Sequence, residues 1–467
     1  MRQTSATRHG TSPAVQETTL DSETAGLVRR YAAPVPRYTS YPTSPHFTGE
    51  VGPAEYAAWL GDVPRGARLS LYLHIPFCEQ LCWYCACSTK AVRRYGPVSD
   101  HLQDLSAEIA SVSRHLGASV EVVHIHWGGG SPNILTACDI GRLADTLRSS
   151  FPVREDAEFA AEIDPRTLTV DRVMAFVQAG LTRVSIGVQD FNPTVQKAIG
   201  REQSFAATER AIARFRDAGV CSINIDLVYG LPHQTCGTLE QTIGQVLRLR
   251  PDRVAAFAYA HLPERFRHQR LIDGAALPGI VHRFAQGQTV ARLLREAGYL
   301  PVGLDHFALP GDPLARGPVR RNFQGYTTDA ADVLIGLGAS AIGRLAQGYV
   351  QNAGAVADYA RRVREQGLAT GRGLVLTPED RARAFVIERL MCDLVFSGEE
   401  LSRRHGVAAD ASLADAQALI NSDTDGLIAP TQDGFRVTER GRPFLRAIAA
   451  RFDAYLGRRN ATHSLGV

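Results

Sequence analysis

Four of the eight cysteines in this chain of 467 residues fall within one short segment, at Cys78, Cys82, Cys85 and Cys87, after a strand-like apolar run that ends at Phe77. Thiolates bind iron–sulfur clusters, zinc and soft copper. Zinc ribbons and fingers normally use two ligand pairs separated by a dozen or more residues, and disulfides between cysteines this close would close small, strained rings. The segment therefore favours an iron–sulfur centre.

The spacing Cys-x-x-x-Cys-x-x-Cys of the first three thiols differs from ferredoxin spacings, which supply four ligands to complete a cluster. Three thiolates on a four-iron cluster leave one iron open, much as a missing protein ligand marks the working position of catalytic zinc. We therefore predict one [4Fe-4S] cluster on Cys78, Cys82 and Cys85. The sequence leaves two interpretations of Cys87 open, as a fourth ligand or as a buried thiol.

Acidic residues inside apolar strand patterns form a second group of candidates. Glu162 and Asp226 lie in runs that otherwise predict buried strands. A buried carboxylate is costly unless it is paired or hydrogen-bonded, so each belongs either to a structural ion pair or to a ligand site. At a strand end, a carboxylate can also bridge two ribose hydroxyls. The glycine run 128–130 follows a neighbouring strand, and glycines there would let backbone N–H groups approach a ligand closely.

Strand and helix patterns alternate from residue 69 onward, which indicates a parallel sheet with right-handed crossovers. Six such units suit a partial barrel better than an eightfold one, although spacing alone leaves a doubly wound sheet open. In a parallel barrel, chemistry gathers at the carboxyl ends of the strands. The predicted strands are 69–76, 120–127, 157–163, 183–189, 222–229, 253–260 and 300–307, and the predicted helices include 100–116, 139–150, 169–179, 204–218, 237–249 and 281–297.

The two ends of the chain predict other structure. Residues 1 to about 30 lack periodicity and predict a mobile tail, and the prolines that follow favour an extended arm. Beyond about residue 375, helical patterns and a short hairpin resemble a small winged helix, which we expect to cover the barrel mouth. The predicted C-terminal elements are helices at 378–394, 398–405, 413–420 and 439–456 and a hairpin at 426–428 and 434–437. The predicted domains are a tail and arm at 1–55, a barrel at 56–370 and a mainly helical lid at 371–467.

Composition excludes several classes of protein. Apolar residues make up 45% and charged residues 21%, as in ordinary globular enzymes. The formal net charge of +3 is too small to argue for nucleic acid or an anionic membrane. No apolar run approaches the ~20 residues of a membrane span. Free cysteines without a targeting segment predict a reducing compartment, the cytoplasm.

The segment from Tyr72 to Cys87 resembles the signature of the radical S-adenosylmethionine enzymes. Within them it resembles the oxygen-independent coproporphyrinogen III oxidases, which carry an additional cysteine two residues after the third ligand. The arm 37–42 and the segment 321–328 resemble the same family. Ala86 and Ser88 depart from it, because the family commonly has Gly at the first position and Asn or His at the second. The resemblance implies an α/β fold, a partial (β/α)6 barrel with an N-terminal arm and a small C-terminal domain.

The resemblance also implies roles for individual residues. It makes Cys78, Cys82 and Cys85 the cluster ligands. It places Tyr72, the predicted catalytic residue, beside a first S-adenosylmethionine that also contacts Gly129, Glu162 and Ile342. It further implies a second S-adenosylmethionine, in contact with Tyr84, Gly130, Ser131, Gln189, Arg201, Asp226 and Ala260. Without the resemblance, Arg201 would be interpreted as a solvated charge at a helix end.

The activity implied by the resemblance is the conversion of coproporphyrinogen III to protoporphyrinogen IX in haem biosynthesis. A 5′-deoxyadenosyl radical would remove hydrogen from the β-carbon of two propionates, each of which then loses CO2 and an electron. The implied partners are coproporphyrinogen III and an electron donor such as a flavodoxin or ferredoxin, with the chain a monomer. A substrate with four carboxylates requires basic anchors. Candidates are Arg37, His261, Arg320 and Arg321, for each of which an ordinary surface role is equally compatible.

Two rival hypotheses remain. One is a haem-binding chaperone or haem-modifying radical enzyme on the same fold. Relatives of the chaperone type generally lack the fourth cysteine and the arm 37–42, both of which are present. The other is a zinc module that binds nucleic acid through its C-terminal domain. Metal analysis tests the zinc module, because it distinguishes zinc from iron and sulfide. An assay for porphyrin products distinguishes the oxidase from the haem-binding or haem-modifying rival.

Overall fold

Six parallel strands, each followed by a helix, form the centre of the fold in the computed structural model, which describes residues 20–116, 119–458 and 463–466. Neighbouring strands within this set of six are hydrogen-bonded in parallel. A seventh parallel strand, Val333–Leu337, pairs with the first of them. This confirms the predicted partial barrel. The six strands are β1 (Arg68–Ile75), β2 (Glu121–Gly129), β3 (Val153–Ile163), β4 (Arg183–Gln189), β5 (Ser222–Tyr229) and β6 (Arg253–Ala258).

Antiparallel strands extend the sheet at both edges to twelve strands, and β6 does not pair with the first strands, so the barrel stays open. Beyond β6 lie His306–Ala308 and then Leu300–Val302. At the opposite edge, beyond Val333–Leu337, the strands are Ile342–Arg344, Gly348–Asn352 and Thr370–Val375. The last of these strands, Thr370–Val375, crosses the predicted domain boundary at residue 370 and still belongs to this sheet. The boundary itself stays a prediction.

The crossover helices pack on the outer face of the sheet because the strands are apolar on that side. In β1, the outward residues Leu69, Leu71 and Leu73 are buried in the main core, whereas the alternate residues Ser70 and Tyr72 face the barrel interior. The crossover helices are Gly96–His115, Ala137–Ser150, Val170–Gln178, Pro193–Ala198 with Phe205–Asp217, Cys236–Leu249 and Ile280–Glu296. They confirm the predicted alternation to within a few residues at each end.

A polar ladder crosses the lower part of the barrel interior. The ring of His124 lies 3.2 Å from the hydroxyl of Ser70 and 3.1 Å from a carboxylate oxygen of Glu158. The guanidinium of Arg183 donates two hydrogen bonds to the same oxygen, at 2.7 and 2.8 Å. These contacts satisfy the polar groups inside four strands, so the interior is polar where an ordinary barrel core is apolar.

The C-terminal region is mainly helical, as predicted, and the predicted hairpin gains a third strand, Val395–Ser397, which was not predicted. The arm packs against it, because Tyr38 and Tyr41 are buried in its core and the Tyr38 hydroxyl donates to Asp453 at 3.0 Å. Its elements are the helices Pro378–Asp393, Gly398–His405, Asp410–Ser422 and Leu445–Ala449 and the strands Val395–Ser397, Ile428–Thr431 and Gly434–Val437. The remaining elements are the helices Ser22–Arg30, Pro53–Gly61, Pro313–Arg316 and Val356–Gln366 and the paired strands Phe77–Cys78 with Lys90–Ala91 and Arg320–Asn322 with Gly325–Thr327.

Three predictions of local structure were wrong. The run 300–307 is a hairpin, because Gly303 takes a positive φ of 55° and the chain reverses there. The helix 439–456 is replaced by short helical turns over 442–452. Residues Ser22–Arg30 form a helix capped by the side chain of Asp21, not a mobile tail; residues 1–19 lie outside the described part of the chain. None of the described helices is long and apolar enough to cross a bilayer.

One buried carboxylate ties a crossover helix to the turn after the strand Val333–Leu337. Glu108 is fully buried and accepts hydrogen bonds from the Gly338 N–H at 2.7 Å, the Asn352 amide at 2.6 Å and the Tyr359 hydroxyl at 2.7 Å. Burial raises the pKa of Glu108 from 4.5 to about 7, although the three donors oppose the shift. The folded state therefore holds a proton here that the unfolded chain releases.

This raised pKa predicts a specific pH dependence of stability. Between about pH 4.5 and pH 7 the folded protein binds the Glu108 proton more tightly than the unfolded chain, so stability falls as pH rises through that window. Glu108→Gln removes this contribution. We expect the free energy of unfolding of the wild type, minus that of the variant, to fall by about 3 kcal/mol across the window. Anaerobic chemical denaturation measures it, with the exposed Asp100→Asn on the same helix as control; a flat difference would contradict the prediction.

Candidate functional site

A cavity of about 730 Å³ lies at the carboxyl ends of the barrel strands, and the cysteine loop forms part of its wall. Twelve of the fourteen residues predicted to bind the cluster or cofactors line it, although they come from segments far apart in sequence. They are Cys78, Cys82, Tyr84, Cys85, Gly129, Gly130, Ser131, Glu162, Gln189, Arg201, Asp226 and Ala260. The fold therefore brings most of the predicted residues to one surface.

Two predicted residues are not part of this cavity wall. Tyr72 is partly buried below it, with its hydroxyl 2.9 Å from Nδ1 of His74. Ile342 is partly buried and packs against a small apolar cluster that contains Phe47 and Tyr349. Their roles beside a cofactor stay predictions.

Hydrogen bonds from distant segments fix the backbone of the cysteine loop. The Trp83 N–H donates to the Ile199 carbonyl at 2.9 Å. Nε2 of Gln269, which is fully buried, donates to the Tyr84 carbonyl at 3.0 Å, and Nε2 of His268 donates to the Cys85 carbonyl at 2.6 Å. Because the loop is anchored on both sides of Tyr84, its thiols are held in position by the barrel.

Positive charge surrounds the second thiol of the loop. The buried Cys82 sulfur lies 3.4 Å from a guanidinium nitrogen of Arg201 and 3.5 Å from one of Arg166. Asp164 pairs with both arginines, at 3.4 Å with Arg201 and 2.6 Å with Arg166. Burial disfavours the charge of Arg201, but Tyr84, Asp164 and Cys82 outweigh this and raise its pKa. Arg201 is therefore a buried cation beside the loop, not a solvated charge.

The other thiols differ in their surroundings. Burial raises the pKa of the Cys78 thiol to about 12, although the Thr89 hydroxyl lies 3.3 Å from its sulfur. The pKa of the Cys85 thiol is lowered, chiefly by a hydrogen bond from the Cys87 side chain, with the Cys87 N–H 3.3 Å from the same sulfur. Cys87 itself is exposed and lines the cavity, so the interpretation of it as a buried thiol was wrong.

Glu162 and the glycine run form one packed unit. Nε2 of His126 lies 3.3 Å from one carboxylate oxygen of Glu162, and the Gly129 N–H donates to the other at 3.1 Å. Burial opposes ionisation, but these hydrogen bonds hold the pKa of Glu162 below its ordinary value. A Cβ at Gly128 would lie 2.8 Å from this carboxylate, and one at Gly129, where φ is 108°, would lie 2.6 Å from the His74 ring. The glycines are therefore required by close packing around a carboxylate that faces the cavity.

Asp226 is held by its neighbours on β4 and β5. The Ser185 hydroxyl donates to one oxygen at 2.6 Å and the Asn224 amide donates to the other at 2.8 Å. Burial raises the pKa of Asp226, and the negative charge of Glu162 raises it further. Two carboxylates of opposite pKa shift thus face one cavity, and both can accept hydrogen bonds from ligand hydroxyl or amino groups.

Several polar residues of the cavity wall were not predicted from the sequence, because only the folded structure brings them next to the predicted residues. His126, Asp164 and Arg166 line the cavity, but none was predicted as a site residue. His126 contacts Glu162, Arg166 contacts Cys82, and Asp164 pairs with Arg166 and Arg201. The signal available for Asp164 was its position two residues after Glu162 at a strand end. Among the basic candidates, Arg37 and Arg321 line the cavity, whereas Arg320 is exposed and pairs with Glu388 at 3.6 Å.

The donor set fits an iron–sulfur cluster with a polar organic ligand beside it. Three thiols, two flanking cations and an adjoining polar cavity match the requirements of a cluster that carries negative charge and binds substrate at an open iron. Within the described residues, no three His, Cys, Asp or Glu side chains converge as ligands of a single metal ion would. In a four-iron cluster each thiolate binds a different iron, so its ligands need not converge in this way. Buried atoms without a partner, the Asn224 Oδ1 and the Arg201 Nε, also belong to residues of the cavity wall.

An open six-unit barrel that carries three thiols at this spacing after its first strand defines a radical S-adenosylmethionine protein. Residues 72–246 match the model of the radical SAM superfamily, and residues 376–444 match that of the HemN C-terminal domain. The chain is 46% identical over 437 residues to an oxygen-independent coproporphyrinogen III oxidase of Bradyrhizobium diazoefficiens, covering 93% of this chain and 97% of that one. It is 45% identical over 429 residues to that of Paracoccus denitrificans, covering 91% and 95%.

A solved structure agrees with these relatives. Coproporphyrinogen III oxidase (HemN) from Escherichia coli, described as a radical SAM enzyme, superposes with a TM-score of 0.87 at 37% identity, covering 94% of this chain and all of that one. The chain belongs to the family of oxygen-independent coproporphyrinogen III oxidases.

The geometry of the loop predicts that the four cysteines are not equivalent. Cys87 contributes its backbone N–H to the Cys85 sulfur, and a serine keeps that N–H. We therefore expect Cys87→Ser to retain the iron and sulfide content of the wild type after anaerobic reconstitution, whereas Cys85→Ser loses most of both. Metal analysis with electron paramagnetic resonance of the reduced cluster measures this. Equal loss of iron from both variants would make Cys87 a ligand.

Proposed function

We propose that this protein converts coproporphyrinogen III to protoporphyrinogen IX without oxygen, by oxidative decarboxylation of two propionates to vinyl groups. The observation that carries the proposal is the convergence of Cys78, Cys82, Cys85, Glu162 and Asp226 on one cavity at the carboxyl ends of the barrel strands. Identity of 46% across nearly the whole length of a named oxidase supports the same activity. Each conversion removes one hydrogen atom, one CO2 and one electron from a propionate.

When bound, a [4Fe-4S] cluster with S-adenosylmethionine supplies one-electron cleavage of the sulfonium and removal of a hydrogen atom from a substrate carbon. The chain positions the reactants and excludes water. Glu162, kept ionised by His126 and the Gly129 N–H, is placed to accept hydrogen bonds from ligand hydroxyls. The arm lines the cavity with residues 35–40 and 43–45, which restricts access of solvent to a reactive radical.

Two molecules of S-adenosylmethionine form part of the proposal, one for each propionate. The support is the distribution of polar groups around the cavity. Gly129 and Glu162 come from β2 and β3, whereas Gln189, Arg201 and Asp226 come from β4, the segment after it and β5. The two sets form adjoining parts of one wall, and each contains a carboxylate.

The remaining partners follow from the same activity. The electron donor is proposed to be a flavodoxin or ferredoxin, and the chain is proposed to act as a monomer, which sedimentation analysis of the reconstituted protein tests. All eight cysteines, each within the described residues, are free thiols, which supports the proposed cytoplasmic location. The C-terminal helices support the arm, and of the segment 371–467 only His463 and Ser464 line the large cavity among the described residues. Within the described residues, the predicted lid at 371–467 therefore meets the large cavity only at His463 and Ser464, and we propose that the arm supplies the rest of the cover.

The activity is tested with anaerobically reconstituted protein, S-adenosylmethionine, coproporphyrinogen III and a reduced flavodoxin or dithionite. We expect 5′-deoxyadenosine and protoporphyrinogen IX to form together, with two molecules of 5′-deoxyadenosine for each product. Cys82→Ser is expected to abolish both products because it removes a cluster ligand. Liquid chromatography with mass detection measures them.

Other outcomes identify the rival functions. Tight haem binding without vinyl products would favour a haem chaperone, and 5′-deoxyadenosine without porphyrin turnover would indicate another substrate. Zinc in place of iron and sulfide would contradict the radical mechanism altogether.

The second cofactor site is tested through Asp226. Asp226→Asn preserves size but replaces a carboxylate by an amide, and it leaves Glu162 and the cysteine loop unchanged. If two molecules bind, we expect the variant to weaken one of two binding steps about tenfold and to leave the other unaltered. Anaerobic equilibrium dialysis with labelled S-adenosylmethionine measures the stoichiometry, with the exposed Asp217→Asn as control. A stoichiometry of one in the wild type would contradict the second site.

A further inference from the structure

We propose that Arg37, Arg321 and Arg446 form a carboxylate pocket that holds one intact propionate of the porphyrinogen, an inference that rests on the function proposed above. The pocket lies where the large cavity meets a second cavity of about 130 Å³. Arg37 and Arg321 line both cavities, as do Ala258 and Asp305. The two cavities therefore adjoin at these residues, and a ring in the large cavity can direct a side chain toward them.

The wall of the second cavity has an excess of positive charge. It contains five arginines and two carboxylates: Arg37, Arg295, Arg321, Arg442, Arg446, Asp305 and Glu439. Glu439 pairs with Arg295 at 3.0 Å and with Arg442 at 3.3 Å. The other three arginines are thus left with Asp305 as the carboxylate of the wall. Buried cations without compensating anions are costly, so this excess favours an anionic ligand.

Arg321 has a donor directed at no acceptor. Its side chain is 5% exposed, and its Nε and one terminal nitrogen donate to the carbonyls of Tyr38 and Arg37, both at 3.1 Å. The other terminal nitrogen, Nη1, has no hydrogen-bond partner within the described residues and lies 4.0 Å from Asp305. Asp305 instead accepts a hydrogen bond from His306 at 2.8 Å. A buried guanidinium with an unused donor is a ready partner for an incoming carboxylate.

Arg446 contributes charge that the protein itself leaves uncompensated. Its guanidinium donates to the main-chain carbonyls of Val35, Pro36, Ser464 and Leu465 and to the Ser464 hydroxyl, which are all neutral acceptors. Burial, together with the positive charges of Arg37 and Arg321, lowers the pKa of Arg446 to about 9. A carboxylate in the pocket would offset this repulsion.

Arg37 is the most solvent-accessible of the three arginines. Its side chain is accessible to solvent, although protein atoms surround it closely enough for desolvation to lower its pKa. One terminal nitrogen donates to the Ala258 carbonyl at 2.7 Å. The planar guanidinium can still present a second edge to a ligand carboxylate.

The pocket is suited to a propionate that stays intact. Within the described residues, the second cavity has no cysteine of the loop in its wall, so a side chain held there lies away from the predicted cluster. A vinyl group offers the three arginines neither charge nor hydrogen-bond acceptor, whereas a carboxylate offers both. Two of the four propionates persist in protoporphyrinogen IX, and one of these would occupy the pocket while another side chain reacts.

The test uses the full reconstituted chain and coproporphyrin III, the stable oxidised form of the substrate, as a fluorescent binding probe. We expect Arg37→Gln to weaken binding about ten- to hundredfold, the range of a charge-assisted hydrogen bond to a carboxylate. Arg37→Lys keeps the charge and is expected to restore part of the affinity. Arg320→Gln, which changes an arginine outside both cavities, is the matched control and should bind as the wild type does.

Further measurements separate a ligand pocket from a structural role. Iron content, S-adenosylmethionine binding and thermal stability should be unchanged in Arg37→Gln, and KM for coproporphyrinogen III should rise more than kcat falls. If Arg37→Gln binds coproporphyrin III as tightly as an active wild type does, the proposed pocket is wrong, but the proposed function is not affected. A wild type with full iron content that neither binds the probe nor forms vinyl products would overturn the proposed function, and the pocket's ligand with it.

Discussion

Compensation of charge inside the barrel is the constraint on which the rest of this structure depends. A parallel barrel normally fills its interior with branched apolar side chains, but here four strands contribute Ser70, His124, Glu158 and Arg183 in one polar ladder. Above it, His126 and the Gly129 N–H hold Glu162. Burying each of these polar groups would be destabilising without the neighbour that forms a hydrogen bond or ion pair with it. The glycines at 128 and 129 follow from that requirement, because a Cβ at either position would crowd Glu162 or His74.

The balance of charged side chains differs between the two sides of the site. Around the cysteine loop, Asp164 pairs with both Arg166 and Arg201, and the predicted cluster would add negative charge where cations already lie close to a sulfur. At the opposite side, Arg37 and its partners have one carboxylate among them. Arginines therefore exceed carboxylates by one near the loop and by two near the arm, so both sides favour anionic ligands and the arm side favours them more strongly.

Much of the fold could be predicted from the sequence because strand periodicity and the cysteine spacing are local signals. The six units, the loop and the carboxylates inside apolar strands were found this way. The hairpin at Gly303 was missed because a single glycine within an apolar run does not reveal a reversal of direction. The residues near Arg446 were missed because its acceptors include Val35, at the other end of the chain, and no sequence pattern joins them. Tyr72 and Ile342 were named by resemblance alone, and the cavity wall does not include them.

The roof of the cavity joins segments that are made at opposite times during synthesis. Pro34 forms an isolated β-bridge with Leu465, the Val35 N–H donates to the Ser464 carbonyl at 3.2 Å, and the Gly466 N–H donates to the Ala33 carbonyl at 3.0 Å. All six barrel strands leave the ribosome before residues 463–466 do, so the part of the cavity wall formed by His463 and Ser464 is completed after them. A cluster inserted before residues 463–466 pair with the arm would meet a wider opening of the cavity than one inserted afterwards.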